Sequence, residues 1–196
     1  FGELYQTRHG IATLKNDIYI FRPVDEDENF FYLQNGSLYK IEKGICKDIV
    51  NSNKLSREVS LNSLKEKVIF PYDQQEKPKL LDENLMKESF PEAYKYLQNK
   101  RKILGERDKG KGNYEKWFAF GRTQSLEKIK NKMFFPKYSD RTPNFIIHSD
   151  DDLLFYNGLA VLGSSETEMK IIKKIMESSI FWYYIKTTGK PYSSDY

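Results

Sequence analysis

The chain has 196 residues, with 32 basic and 28 acidic side chains and a net charge of +4. Aromatic residues make up 15% of it, enough to build a packed core, and Cys46 is the single cysteine. These values exclude a disulfide scaffold and a thiolate metal site. A lone cysteine fits a reducing compartment, no signal peptide opens the sequence and no apolar run approaches a membrane span, so a cytoplasmic protein is expected.

The opening stretch "LYQTRHG" reads as coil with a turn at Gly10, followed by a strand over Ile18 to Phe21. "RPVDEDEN" reads as an acidic loop. In "NFFYLQNGSLYKIEKG", Asn35-Gly36 suits a two-residue type I′ turn between two strands, since both central positions then need positive φ. "ICKDIV" and "KVIFPY" are candidate strands. In "SFPEAYKYLQNKRKILGER", Pro91 sits at a first helical position and Gly105 can stop the helix. Phe90, Tyr94, Leu97 and Leu104 share its apolar face.

Short strands are expected at Lys116–Phe120, Lys132–Phe135, Asn144–His148, Leu153–Tyr156 and Leu159–Leu162. Near the end, Ser165 and Glu168 match a capping box. They open one long helix with Met169, Ile172, Ile175, Met176 and Tyr183 on the buried side, closed by Gly189. Strands and helices do not alternate regularly. The fold class expected is α+β, with a mostly antiparallel twisted sheet and two longer helices, one of them near the C-terminus.

Charge is distributed unevenly. Residues 100–141 hold 13 basic and 5 acidic groups, a net of +8, whereas residues 1–99 have a net of −2. An anionic partner met by the second half explains this asymmetry; a solvated lysine-rich face explains it too.

Catalytic signatures are absent. His9 and His148 lie far apart, and no nucleophile elbow or phosphate-binding loop is present. Asp150, Asp151 and Asp152 are successive carboxylates, read as a hairpin connection because neighbours on a turn splay apart. Neither an N-P-P-Y-like motif nor a glycine-rich S-adenosylmethionine loop occurs. The chain is therefore expected to have no catalytic centre and no cofactor of its own.

Binding chemistry is better represented. In "YEKWFAFGRTQSLEKIK", Arg122 and Gln124 follow an aromatic run. Arg matches guanine and Gln matches adenine through paired donors and acceptors on base edges. Thr123 lies between them, and Lys128, Lys130 and Lys132 follow as candidate phosphate contacts. A salt bridge fixing a strand end is the alternative role for Arg122.

The order of "GIATLKNDIYIF", "VIFPY", "FPEAYKYLQNKRKILGER", "YEKWFAFGRTQSL", "KIKNKMFFPKY" and the terminal helix with "TTGKPY" resembles the TaqI-like C-terminal specificity domain. That family is the target recognition domain of adenine-specific DNA methyltransferases, including fused type IIG restriction–modification enzymes. Met176-Glu177-Ser178 stands where the family often carries Leu-Asn-Ser. The resemblance covers nearly all of residues 1–196. It implies a double-stranded DNA partner and an upstream methyltransferase domain in the same chain, since this sequence begins at Phe1 rather than Met. That domain would carry S-adenosylmethionine and receive the flipped adenine. It also adds His9, Thr13 and Lys15 as base-reading candidates, Lys186 and Lys190 as phosphate candidates, and Tyr138 and Tyr192 as stacking or phosphate-bonding groups. Two other arrangements remain open: one half of a type I specificity subunit, and a protein–protein module.

Overall fold

The computed structural model describes residues 5–55, 60–137 and 144–189. Along the chain lie β1 (Gln6–His9), α1 (Asn16–Tyr19), β2 (Ile20–Phe21), β3 (Asp25–Glu26), β4 (Phe30–Asn35) and β5 (Ser37–Glu42). There follow β6 (Cys46–Asn51), β7 (Lys65–Ile69), α2 (Glu83–Ser89), α3 (Pro91–Asn99) and α4 (Arg101–Gly105). The last part holds β8 (Lys132–Pro136), β9 (Ile146–His148), β10 (Leu154–Tyr156), β11 (Gly158–Leu162), α5 (Glu166–Met176) and α6 (Ser179–Thr188).

The fold is α+β. One sheet runs β1-β11-β8-β9, a second β10-β6-β7-β2 and a third β3-β4-β5. Among the described residues, every strand pairing is antiparallel except β10 on β6. The two-residue period of a strand gives the first sheet two apolar faces. Phe134 and Ala160 point one way, towards Val50 and Phe155 of the second sheet. Met133 and Val161 point the other way, under Met169, Ile172 and Met176 of α5. A slip of one residue would exchange these faces, so the register is tightly specified.

The largest core joins the second sheet, the third sheet and α3–α4. Ile49, Val68, Phe70, Ile41, Tyr96 and Leu97 are all fully buried in it. Each such side chain contributes about 1.5–3 kcal/mol of burial free energy.

Local signals identify several elements correctly. Pro91 is the first residue of α3, and the Ser165 hydroxyl accepts from Glu168 N–H at 3.2 Å. The Glu168 carboxylate bonds back to Ser164 N–H at 2.8 Å, one residue earlier than a capping box requires. The Asn35–Gly36 hairpin is present, but only Gly36 has positive φ (78°). A type I′ turn is thus ruled out. Asn35 is instead held from outside: its amide donates to Asp17 O and Tyr96 Oη, each at 3.0 Å.

Other expectations need correction. Gln6–His9 is an edge strand rather than coil, paired with β11. Part of the strand expected at Ile18–Phe21 is the short helix α1. The first long helix breaks at Lys100, and the second breaks around Glu177–Ser178, where the Ser178 hydroxyl caps α6. The predicted stripe holds only in part: before that break Ile175 on α5 is 57% exposed, and past it Tyr183 is 72% exposed. Asp150–Asp152 is no hairpin, because β9 and β10 belong to different sheets.

The strand expected at Lys116–Phe120 does not form either; this segment is a run of turns. Phe118 and Phe120 are nevertheless fully buried, so its backbone polar groups need partners. Side chains supply them. The Arg107 guanidinium donates to Leu104 O at 2.7 Å, Ala119 O at 2.6 Å and Trp117 O at 2.9 Å. Tyr19 Oη donates to Phe118 O at 3.0 Å, and Tyr72 Oη accepts from Phe120 N–H at 2.9 Å. Burial pushes the Tyr72 phenol up to about 12.

Candidate nucleic-acid interface

The two segments expected to read bases are joined directly. Arg122 N–H donates to Ala12 O and Gly121 N–H to Thr13 O, both at 3.0 Å. This antiparallel bridge brings the early loop against the Gly-Arg-Thr-Gln turn. On the other side, Gly10 N–H donates to Gly158 O and Ile11 N–H donates to Phe155 O at 2.9 Å. Such close approach requires glycine: a Cβ at Gly10 would lie 2.5 Å from Phe155 O.

The result is an open cleft of about 340 Å³. His9, Asn53, Gln124, Lys137 and Asn157 line it, over a floor of Gly10, Ile11, Ala12 and Gly158. His9 and Gln124 are exposed. Sequence reasoning named these two but missed Asn53, Lys137 and Asn157. Asn157 adopts the left-handed conformation (φ 55°) immediately before Gly158. The Asn-Gly pair between two apolar runs was the available signal.

Arg122 is half-exposed and held at its tip. Nη1 donates to Asp108 Oδ2 at 2.8 Å and to Gly121 O at 2.9 Å, and Nη2 donates to Asp108 Oδ1 at 3.3 Å. The salt bridge weighed as an alternative for Arg122 is therefore present. It holds Asp108 below the usual carboxylate range. Tyr114 Oη also donates to Asp108, at 3.0 Å. Asp108 and Lys109 both have positive φ (50° and 60°), a conformation that Asp tolerates better than most side chains.

Two named candidates are not available to a ligand. Thr13 is fully buried, donating to Asn16 Oδ1 at 2.6 Å and accepting from Lys15 N–H at 3.0 Å. It organises the start of α1. Lys132 is 1% exposed and donates to Ile129 O and Asp150 O. Burial lowers its pKa to about 8.

Lys128 pairs with Asp152 at 3.1 Å, which raises its pKa. Asp152 also pairs with Lys47 at 3.2 Å, and these partners hold it below the usual carboxylate range. Lys15 is half-buried; Thr123 and Lys130 are exposed. Lys186 is exposed on α6, with Nζ 5.6 Å from the Trp182 ring centre. Tyr138, Lys190 and Tyr192 lie outside the described residues.

Asp150, Asp151 and Asp152 bring carboxylate oxygens within 4.8 Å of one another, closer than expected for a splayed turn. Asp152 is paired with Lys47 and Lys128, and all three carboxylates are exposed, so the cluster by itself marks no ion site. His148 Nε2 lies 3.8 Å from Asp150; burial first, then the Lys132 charge, lowers its pKa.

No protein-family model matches the chain, and no curated protein matches it significantly. Among the described residues, no helix is long and apolar enough to cross a membrane.

Proposed function

We propose that this chain is a double-stranded DNA recognition module, serving an adenine-N6 DNA methyltransferase of a cytoplasmic restriction–modification system. The observation that carries the reading is the bridge between Ala12–Thr13 and Gly121–Arg122, which sets His9 and Gln124 on one polar cleft. Amide and imidazole side chains with spare donors and acceptors suit base edges. The order of sequence motifs resembling TaqI-like specificity domains supports the methyltransferase context. In this reading the module holds the duplex, and an upstream domain of the same chain binds S-adenosylmethionine and receives the flipped adenine. Flipping costs a few kcal/mol, which phosphate and groove contacts offset. Bond-making belongs to that other domain.

A salt titration of duplex binding by the full-length protein tests this. With Lys128 and Lys132 engaged internally, about four phosphate contacts give a log–log slope near roughly −4. No duplex binding at low salt would overturn the reading. It would favour a protein-binding module, for which the exposed Ile180, Tyr183 and Tyr184 of α6 speak.

A further inference from the structure

The hold on Arg122 is selective in a way that the DNA-reading role does not by itself require. A guanidinium has five N–H donors in one plane. Asp108 takes one from Nη1 and one from Nη2, the outer fork. Gly121 O takes the second Nη1 hydrogen, on the side of the Arg122 backbone. Two donors are left, Nε–H and the second Nη2–H. They are parallel and lie along the same edge of the guanidinium. Among the described residues, no group accepts from either. Half the side chain is exposed, with 49% of its surface open to solvent.

Both ends of Arg122 are fixed. Its backbone is bonded to Ala12. The loop that carries Asp108 is anchored by Arg107, which is 2% exposed and spends its guanidinium on three main-chain carbonyls. Arg107 also stacks 4.0 Å from the centre of the Tyr114 ring, and Tyr114 bonds Asp108. Asp108 is thus braced from two directions.

We propose that Asp108 is a positioning residue: it grips the outer fork of Arg122 so that the Nε–Nη2 edge faces a ligand carrying two adjacent acceptors, the N7/O6 edge of a guanine in duplex DNA. This rests on the DNA-recognition reading above. Phosphate oxygens offer similar acceptors. However, the Asp108–Arg122 pair has no net charge, which weakens its attraction to a phosphate while leaving its directional donors intact. A locked fork loses little side-chain freedom on binding, and that favours discrimination.

The test uses the full-length protein and its preferred duplex, with single base-pair substitutions across the site. Asp108→Asn is the main variant, because Asn accepts φ near 50° and keeps the loop; its single acceptor oxygen cannot grip the fork. Asp108→Gly is the second variant, free of strain at the same φ. Discrimination at one G·C pair is expected to fall about 5- to 100-fold in both variants. Arg122→Ala should relax the same pair, and the melting temperature of Asp108→Asn should stay near wild type. The salt slope should be unchanged or steeper by up to about 1, since a freed guanidinium attracts phosphate. Wild-type discrimination in both Asp108 variants, alongside a loss in Arg122→Ala, would overturn the positioning role. An equal loss on every duplex with a shallower slope would overturn the guanine assignment and mark a backbone contact. Absence of any duplex binding by the wild-type protein would instead remove the DNA reading itself.

Discussion

The cleft around His9 and Gln124 and the lysine–aspartate network around Asp152 lie in the same chain but use polarity in opposite ways. In the network, Lys47 and Lys128 share Asp152, while Lys65 and Lys67 share Asp48. Lys132 is spent on main-chain carbonyls. These groups satisfy one another and offer little to a partner. In the cleft, His9, Gln124 and two asparagines stand on backbone fixed by Gly10, Gly158 and the Ala12–Arg122 bridge. A high local count of lysines thus does not by itself mark a surface free to meet an anionic ligand. The cleft instead presents side chains on rigid backbone, the arrangement a binding site requires.

The largest separation between fixed scaffold and open cleft comes from Arg107. Arg107→Ala removes a donor from three carbonyls, of which Ala119 O keeps only Tyr19 Oη at 3.4 Å, and should cost about 3–5 kcal/mol in denaturant unfolding. Its effect falls on the whole loop beneath Asp108. A cost below about 1 kcal/mol would show that the 116–120 segment is held by other means.

The network should reveal itself through pH. Lys132 has a folded pKa of about 8, below the 10.5 of a free lysine. Between those values the unfolded chain binds more protons, so stability rises with pH by up to about 2 kcal/mol from pH 8 to 10. Above pH 10 the trend reverses. Burial raises the phenol pKa of Tyr19, Tyr72, Tyr96 and Tyr156, and unfolding lets them ionise. Lys132→Met should lack the rise, and chemical denaturation at several pH values checks it.

Smaller effects distinguish the cleft. Asn157→Gly suits φ 55° and should change stability by less than about 1 kcal/mol while weakening base preference. Asn157→Ala should be less stable than the glycine variant by roughly 1 kcal/mol, because Ala is strained there. Parallel melting curves and duplex affinities measure both. Smallest is Lys128→Ala, a partly exposed ion pair, expected to cost less than about 1 kcal/mol and to leave the salt slope unchanged.

What could be read from the sequence was local. Pro91, Ser165 and Gly36 act within a few residues, and each lies where its chemistry predicts. The alternating aromatics of Trp117–Phe120 suggested a strand because their burial is real; the backbone bonds that decide against a strand come from Arg107, Tyr19 and Tyr72, distant in sequence or on another element. Gln6–His9 looked like coil because an exposed edge strand has no apolar alternation. Lys132 carries no sequence mark of burial; only the fold encloses it. For the site, Gln124 was recognisable by residue type and His9 only through the resemblance of the surrounding motifs, whereas Asn53, Lys137 and Asn157 come to the cleft from segments far apart in the sequence.

Selection of bound duplexes from a random pool, with the full-length wild-type protein and Gln124→Ala side by side, tests the role of the cleft most directly. The account predicts one enriched sequence for the wild type, with a single position relaxed in the variant and the others retained. Identical enrichment in both proteins, or none in either, would contradict it.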